Sequence, residues 1–240
     1  MADTTSDLEL HLKLDQTAAG TDADDSSTND FTCTLAGGLN FTDSVPGKFS
    51  NALLFNGTSD HITLPDVADD DALDFTLNDD FTLVGTFNAS SFATNPTIFK
   101  RGTNNSALTE ASYILYLTTD GALKFAMGDG SSGNVAVTLS YNLLVDTTYT
   151  VAARVTSNLM ELFVNGNKDT NSATGTKTWP GGETLIQLAG AGTLFNWEMA
   201  GWLDDLRIYS RALADADIVA AQNPYTKSTP KISVSIGISL

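Results

Sequence analysis

The chain has 240 residues, 42% of them hydrophobic, with 12 basic against 29 acidic side chains, a formal charge of -17 and an isoelectric point near 4.1. That length suits one large all-β domain, and the charge, with its lysines and arginines scattered singly, excludes nucleic acid as a partner. No apolar run reaches the length that crosses a bilayer, so no membrane insertion is expected, and residues 1–10 show neither the basic nor the apolar segment of a signal peptide.

Nearly all the acids are aspartate, since Glu9, Glu110, Glu161, Glu183 and Glu198 are the only glutamates. Aspartate and asparagine favour turns and cation-binding loops, whereas glutamate favours helices, so the composition points to strands and loops. Leu8, Leu10, Leu12 and Leu14 alternate with polar residues, which predicts a half-buried strand. The polar run from Thr17 to Asp30 then reads as a loop. Further strands are expected at 52–55, 61–64, 81–87, 97–100, 113–118, 122–127, 135–139, 149–155, 159–164, 184–189 and 202–209. Asp120-Gly121 and Asn165-Gly166 supply the positive φ of tight hairpins, and Ser157-Asn158 makes a third short polar turn. Closely linked short strands with almost no helical pattern predict an all-β, antiparallel two-sheet sandwich over residues 1–225. One helix is expected, from Asp215 to Gln222, with acids at its positive N-terminal end and Pro224 beyond its stop. Residues 226–240 differ in kind: Ile232, Val234, Ile236, Ile238 and Leu240 alternate with small residues. Such a tail can pack back on the sandwich or add to a neighbour's sheet edge, which makes it the candidate assembly element.

Few residues offer chemistry. Cys33 is the single cysteine and reads as a buried, inert thiol. His11 and His61 are the only imidazoles and lack metal-ligand spacing, so both read as strand-face histidines. The adjacent acids Asp204 and Asp205 stand inside a strand whose two faces both carry apolar residues. At least one carboxylate is therefore near buried surface and needs a partner. By period two, Asp205 shares a face with Arg207 and forms the expected structural ion pair, while Asp204, on the face of Trp202, Leu206 and Ile208, is left to a metal or backbone amides. Trp179, Trp197 and Trp202 fall close together in the sequence, and exposed rings can stack on sugars or pack in the core. Trp179 and Trp197 are taken as the candidate ligand-binding pair.

Six segments resemble, in order, the laminin-G-like, concanavalin A-like jelly-roll modules: L-D-Q-T at Leu14, D-S-S-T-N-D-F-T-C-T-L at Asp25, G-K-F-S-N-A-L-L-F-N-G-T-S-D-H-I at Gly47, F-T-L-V-G-T-F at Phe81, F-V-N-G at Phe163, and G-W-L-D-D-L-R-I-Y-S-R-A-L at Gly201. The third corresponds to a family pattern G-x-F-G-x-A-L-x-F-D-G-x-x-D. Thr28, Asp30 and Cys33 stand where the family has glycine, so the first loop must change its path or tolerate strain. Ala214 replaces a helix-capping serine, a loss of about 1 kcal/mol. The resemblance implies a structural Ca²⁺ held by Asp204 with Asp25 and Asn29 from the early loop. It further implies a non-catalytic surface or adhesion protein, since the glucanase motif E-x-D-x-x-E is absent. The expected role is a subunit of a larger assembly such as a virion (capsid decoration, fibre or tail protein), joined to other protein subunits or to itself, with glycan binding. The alternative is a free-standing extracellular carbohydrate-binding lectin module, and a glycoside hydrolase is the third reading. The expected location is accordingly the virion surface or the extracellular space.

Overall fold

Leu10 and Leu12, Cys33 and Leu35, Ile62 and Leu64, and Leu123 and Phe125 each turn to one side of their strand and are buried there, while the residues between them face the other way. Repeated along the chain, this alternation gives two sheets with one apolar side each, and burying those sides together makes the core. The computed structural model describes residues 6–65, 71–102, 111–128, 133–175, 185–190 and 197–223. Trp179 and the tail residues Ile232, Val234, Ile236, Ile238 and Leu240 lie outside them.

The strands are β1 (Leu8–Leu12), β2 (Asp22–Asp24), β3 (Thr32–Ala36), β4 (Ser44–Pro46), β5 (Asn51–Asn56), β6 (His61–Pro65), β7 (Phe81–Ala89), β8 (Thr97–Gly102), β9 (Ala111–Leu117), β10 (Ala122–Gly128), β11 (Asn134–Asn142), β12 (Thr148–Thr156), β13 (Leu159–Val164), β14 (Asn167–Thr174), β15 (Leu185–Leu188) and β16 (Ala200–Tyr209). The first sheet runs β14-β13-β12-β7-β16-β5-β4, with β1 also paired to β16, and the second runs β11-β10-β9-β8-β15-β6-β3-β2. All the pairings are antiparallel, so the expected all-β jelly-roll sandwich is the fold. The sequence reading named no strand at β2, β3, β4 or β14 and carried the first strand on to Leu14; three of these differences have simple causes. The first strand stops at Leu12, and Leu14 takes a left-handed φ of 58°. The polar run 17–30 is not all loop, because Asp22–Asp24 pairs with Thr32–Thr34 at the sheet edge, where one buried Ala23 suffices. Strand β14 carries no large apolar residue and is mostly exposed, so nothing in its pattern marked it.

The hairpin turns do follow the sequence. Ser157 and Asn158, with φ of 48° and 68°, link β12 to β13, and Asn165 and Gly166, with φ of 50° and 82°, link β13 to β14. Asp30 keeps a left-handed φ of 54° in the early loop, so the strain of losing glycine is tolerated there. The helix α1 (Asp215–Ala221) lays Ile218 and Ala221 on the outer face of the first sheet, against Val84, Ala152, Phe163, Tyr209 and Leu213. Its Ala214 makes no side-chain cap. Instead Arg154 donates to Leu213 O at 2.6 Å and to Asp215 Oδ1 at 2.8 Å, while its Nε and Nη2 hold buried Glu161 at 2.9 and 2.5 Å. Thr82 Oγ1 accepts from Leu213 N and donates to Arg211 O, which ties the strand-to-helix link to β7.

Candidate functional site

Strand β16 changes partner halfway along. Residues 200–203 pair with β5, residues 206–209 pair with β1, and the register against β7 slips between Asp204 and Arg207. Asp205 takes the left-handed φ of 53° that such a bulge requires. The bulge breaks period two, so Leu203, Leu206 and Ile208 all enter the core and both carboxylates turn to the outer face. The placement of Asp204 with Leu206 and Ile208 is thereby corrected: one extra residue reversed the parity.

Each carboxylate has its own partners. Arg207 Nη2 donates to Asp205 Oδ1 and Oδ2 at 2.9 and 2.8 Å, and His11 Nε2 lies 2.7 Å from Oδ1, delivered by the β1 register that sets His11 against Arg207. Asp204 is fully buried, and its Oδ2 accepts the backbone N–H of Lys48 and of Phe49, both at 2.8 Å. Gly47 is needed to let that loop close over the carboxylate, because a Cβ there would sit 2.7 Å from Asp204 Oδ2. Asp204 Oδ1 has no hydrogen-bond partner among the described residues. Burial pushes its carboxyl up to about 7 against the pull of the Phe49 and Lys48 amides, and Asp205 and Asp15 add repulsion.

The residues expected to hold calcium are placed as follows. Asp25 accepts from His11 N, Ser27 N, Ser27 Oγ and Phe31 N, and Asn29 donates to Glu9 O and Glu9 Oε2. Asp25 and Asn29 meet through Ser27, and Asp204 is bound by the Lys48 and Phe49 amides. Both oxygens of Asp25 are thus engaged, whereas Asp204 Oδ1 has no partner among the described residues. Among the described residues no three His, Cys, Asp or Glu side chains form a group that could hold a metal. Cys33 is buried, and burial with nearby Asp25 pushes its thiol up to about 12, so it is no nucleophile.

The outer face of the second sheet is built differently. Cross-strand pairing sets Thr97 against Tyr116, Lys100 against Ile114 and Gln187 against both Lys100 and Thr63, so these side chains share that face. Trp197, partly buried, stacks on Tyr116 with centroids 5.0 Å apart and planes 18° apart, and Thr97 N bonds to Trp197 O at 3.0 Å. Burial holds the Tyr116 hydroxyl up at about 12. Thr97 and Gln187 are 0% and 4% exposed, yet Thr97 Oγ1 and Gln187 Oε1 have no hydrogen-bond partner among the described residues. Leaving such a group unpaired costs about 1–3 kcal/mol. The partly exposed ring of Trp197 can stack on a sugar, while both oxygens lie beneath the surface. Alternation in T-L-I-Q-L-A places Gln187 on this face, but no sequence signal shows that it is buried without a partner.

A family model described as the concanavalin A-like lectin/glucanases superfamily matches residues 56–219, more than half of the chain. No curated protein sequence matches. Among solved structures, domain 4 of AbnA, a GH43 extracellular arabinanase from Geobacillus stearothermophilus, in complex with arabinotriose, is 19% identical with a TM-score of 0.66, over 90% of this chain and 98% of that one. The binding domain of Paraclostridial Mosquitocidal Protein 1 is 17% identical with a TM-score of 0.73, over 93% of this chain and 53% of that one. The binding domain of botulinum neurotoxin DC in complex with SialylT is 14% identical with a TM-score of 0.68, over 92% and 52%. The chain thus spans about half the length of the toxin binding domains it resembles. At these identities the neighbours speak for the sandwich alone. The family match, together with the jelly-roll topology and the closing strand that ends in α1, settles membership: the chain belongs to the concanavalin A-like lectin/glucanase superfamily.

Proposed function

We propose that the protein is a non-catalytic saccharide-recognition module, with the outer face of β9, β8 and β15 as its binding face. One observation carries this: Trp197 stands partly exposed on that face, with its ring held in place by the stack on Tyr116. A sugar supplies an apolar ring face for the indole. Two of the structural neighbours were solved with a saccharide or with SialylT, which supports the reading without identifying a ligand for this chain. Hydrolysis is disfavoured, since retaining and inverting mechanisms both need two carboxylates across the scissile bond. Glu198 is buried with no partner for Oε2 among the described residues, and burial raises its carboxyl, but the charged group acting on it is His61 rather than a second acid. On a glycan array, Trp197→Ala and Trp197→Gln are each expected to lose at least tenfold in binding while circular dichroism still reports a folded sandwich. Wild-type binding retained in both variants would sink the proposal.

A place in a larger assembly, such as a virion surface, is the second reading, and extracellular exposure follows from either. The alternation of Ile232, Val234, Ile236, Ile238 and Leu240 favours it, because such a segment suits addition to a sheet edge. Sedimentation of the full chain and of a chain lacking residues 226–240 tests this, with a smaller particle expected after truncation. An identical monomer in both would remove the assembly role.

A further inference from the structure

The first sheet has an outer face of its own, and α1 covers only one end of it. Moving along β16 from Tyr209 the face passes from the apolar seat of α1 to the buried Asp205–Arg207 pair and then to open surface at Trp202. There the register sets Trp202 between Leu54 and Asn88, with Thr148 beyond Asn88. Trp202 is partly buried and Leu54 is 42% exposed, a high value for a leucine in the middle of a paired strand. This apolar ledge runs through Leu54 into a cavity of about 390 Å³ whose walls include Gly37, Asp43, Asp60, Ser90 and Gly201.

Two of those walls are bare backbone by necessity. Gly201 has φ of 134°, and a Cβ on it would meet Asn88 O at 2.1 Å; Gly37 has φ of 80°, and a Cβ would meet Ser59 O at 2.0 Å. At both positions the neighbouring backbone packs too closely for a side chain, which fixes these walls of the cavity. The polar groups are anchored as well. Asp60 Oδ2 and Oδ1 accept from Asn56 N and Asn56 Nδ2 at 2.9 and 2.8 Å, and Asp43 Oδ2 accepts from Asn40 N at 3.1 Å, which fixes the short 3-10 turn Phe41–Asp43. No lysine or arginine is among the described residues that line the cavity. The volume falls in the range of small-ligand sites, and an aromatic ledge beside a few fixed polar groups is their usual make-up.

We propose that this cavity and the Trp202–Leu54 ledge form a second saccharide site, on the opposite sheet from the first, selective for neutral or amine-bearing sugars and closed to acidic ones. The ledge takes a ring face, Asp43 and Asp60 accept from hydroxyls or an ammonium, and a sialic acid or uronate would set its carboxylate against two others.

Calorimetric titration with the best oligosaccharide from an array of neutral, amine-bearing and acidic glycans tests this. Two sites are expected in the wild type and one in each of Trp197→Ala and Trp202→Ala, with Trp202→Tyr retaining the second site if a ring is what matters. Asp43→Asn, which keeps the turn's acceptor, is expected to lose most of any preference for amine over acidic sugars. One wild-type site abolished by Trp197→Ala and untouched by Trp202→Ala would overturn this inference and leave the first face standing. One site lost only in Trp202→Ala would do the reverse, and no binding to any glycan would overturn both. Acidic glycans bound at the Trp202 site as tightly as neutral ones would overturn the charge selection.

Discussion

Asp204 is fully buried with two amides on one oxygen, so its protonation is linked to folding. Its folded carboxyl titrates up at about 7 because burial disfavours the charged form, whereas an unfolded aspartate loses its proton at the ordinary value near 3.9. The folded state binds that proton more tightly, so this group's contribution is greatest below about pH 4, falls as the pH rises, and levels off above about pH 7. Asp204→Asn keeps an oxygen for Lys48 N and Phe49 N without the charge. Denaturation curves are expected to show the variant more stable than wild type at pH 8, by on the order of a few kcal/mol, and equal to it near pH 4. A loss of stability at pH 8 that chelation of the wild type reproduces would instead restore the calcium role of Asp204. Ser50 belongs to the same loop. It takes φ of 101°, outside the left-handed well that Asp30 occupies at 54°, and stands where the family pattern has glycine. Ser50→Gly is expected to gain about 1 kcal/mol, or roughly 2–4 °C in melting temperature, as read by calorimetry.

Among the elements, α1 has only 7 residues and no side-chain cap, so its position depends on what grips its first turn. Arg154 is that grip, reaching from β12 to Leu213 O, Asp215 and Glu161, with its guanidinium 4.9 Å over the Phe163 ring. Arg154→Met is expected to cost about 3 kcal/mol in urea denaturation because it leaves buried Glu161 with only the half-exposed Lys168, 3.2 Å from its Oε1, and the double change Arg154→Met/Glu161→Leu to cost less than the single one. The strands themselves were legible because alternation and turn pairs are local: Leu10 and Leu12, or Ser157-Asn158, announce themselves. Besides the short strands β2, β3 and β4, two features escaped for opposite reasons. Strand β14 is an exposed edge and needs no apolar residues, while the bulge in β16 is fixed by where β5 ends and β1 begins, which no window around Asp204 contains. The Asp205–Arg207 contact follows from spacing alone, but the orientation of Asp204 depended on that unseen slip.

For the whole molecule, the sequence identified the sandwich through six ordered segments spread over most of the chain, yet it left the binding surfaces obscure. Trp197 could be named as an aromatic, but its stacking on Tyr116, eighty-one positions earlier, exists only once β8 and β9 are paired. The orphaned oxygens of Thr97 and Gln187 are statements about missing neighbours, and a sequence records only residues that are present. Trp202 was read on the same face as Leu206 and Ile208, and the bulge at Asp205 is what turns it away from them to the outer face. The first proposed face belongs to the second sheet and the Trp202–Leu54 ledge to the first, so a single chain could bridge two glycans rather than grip one twice, and cross-linking of glycan-coated beads by the isolated module is the expected result if it does. The partner exchange along β16 has a consequence for how the chain acquires its shape. Because β1 pairs with the last strand, Leu8 against Tyr209, the first sheet stays open until almost every described residue has been synthesised. Folding must therefore close a loop of about two hundred residues late, a step that makes such sandwiches slow, and a nascent chain would present the vacant groove beside β16 to any other strand that arrived first.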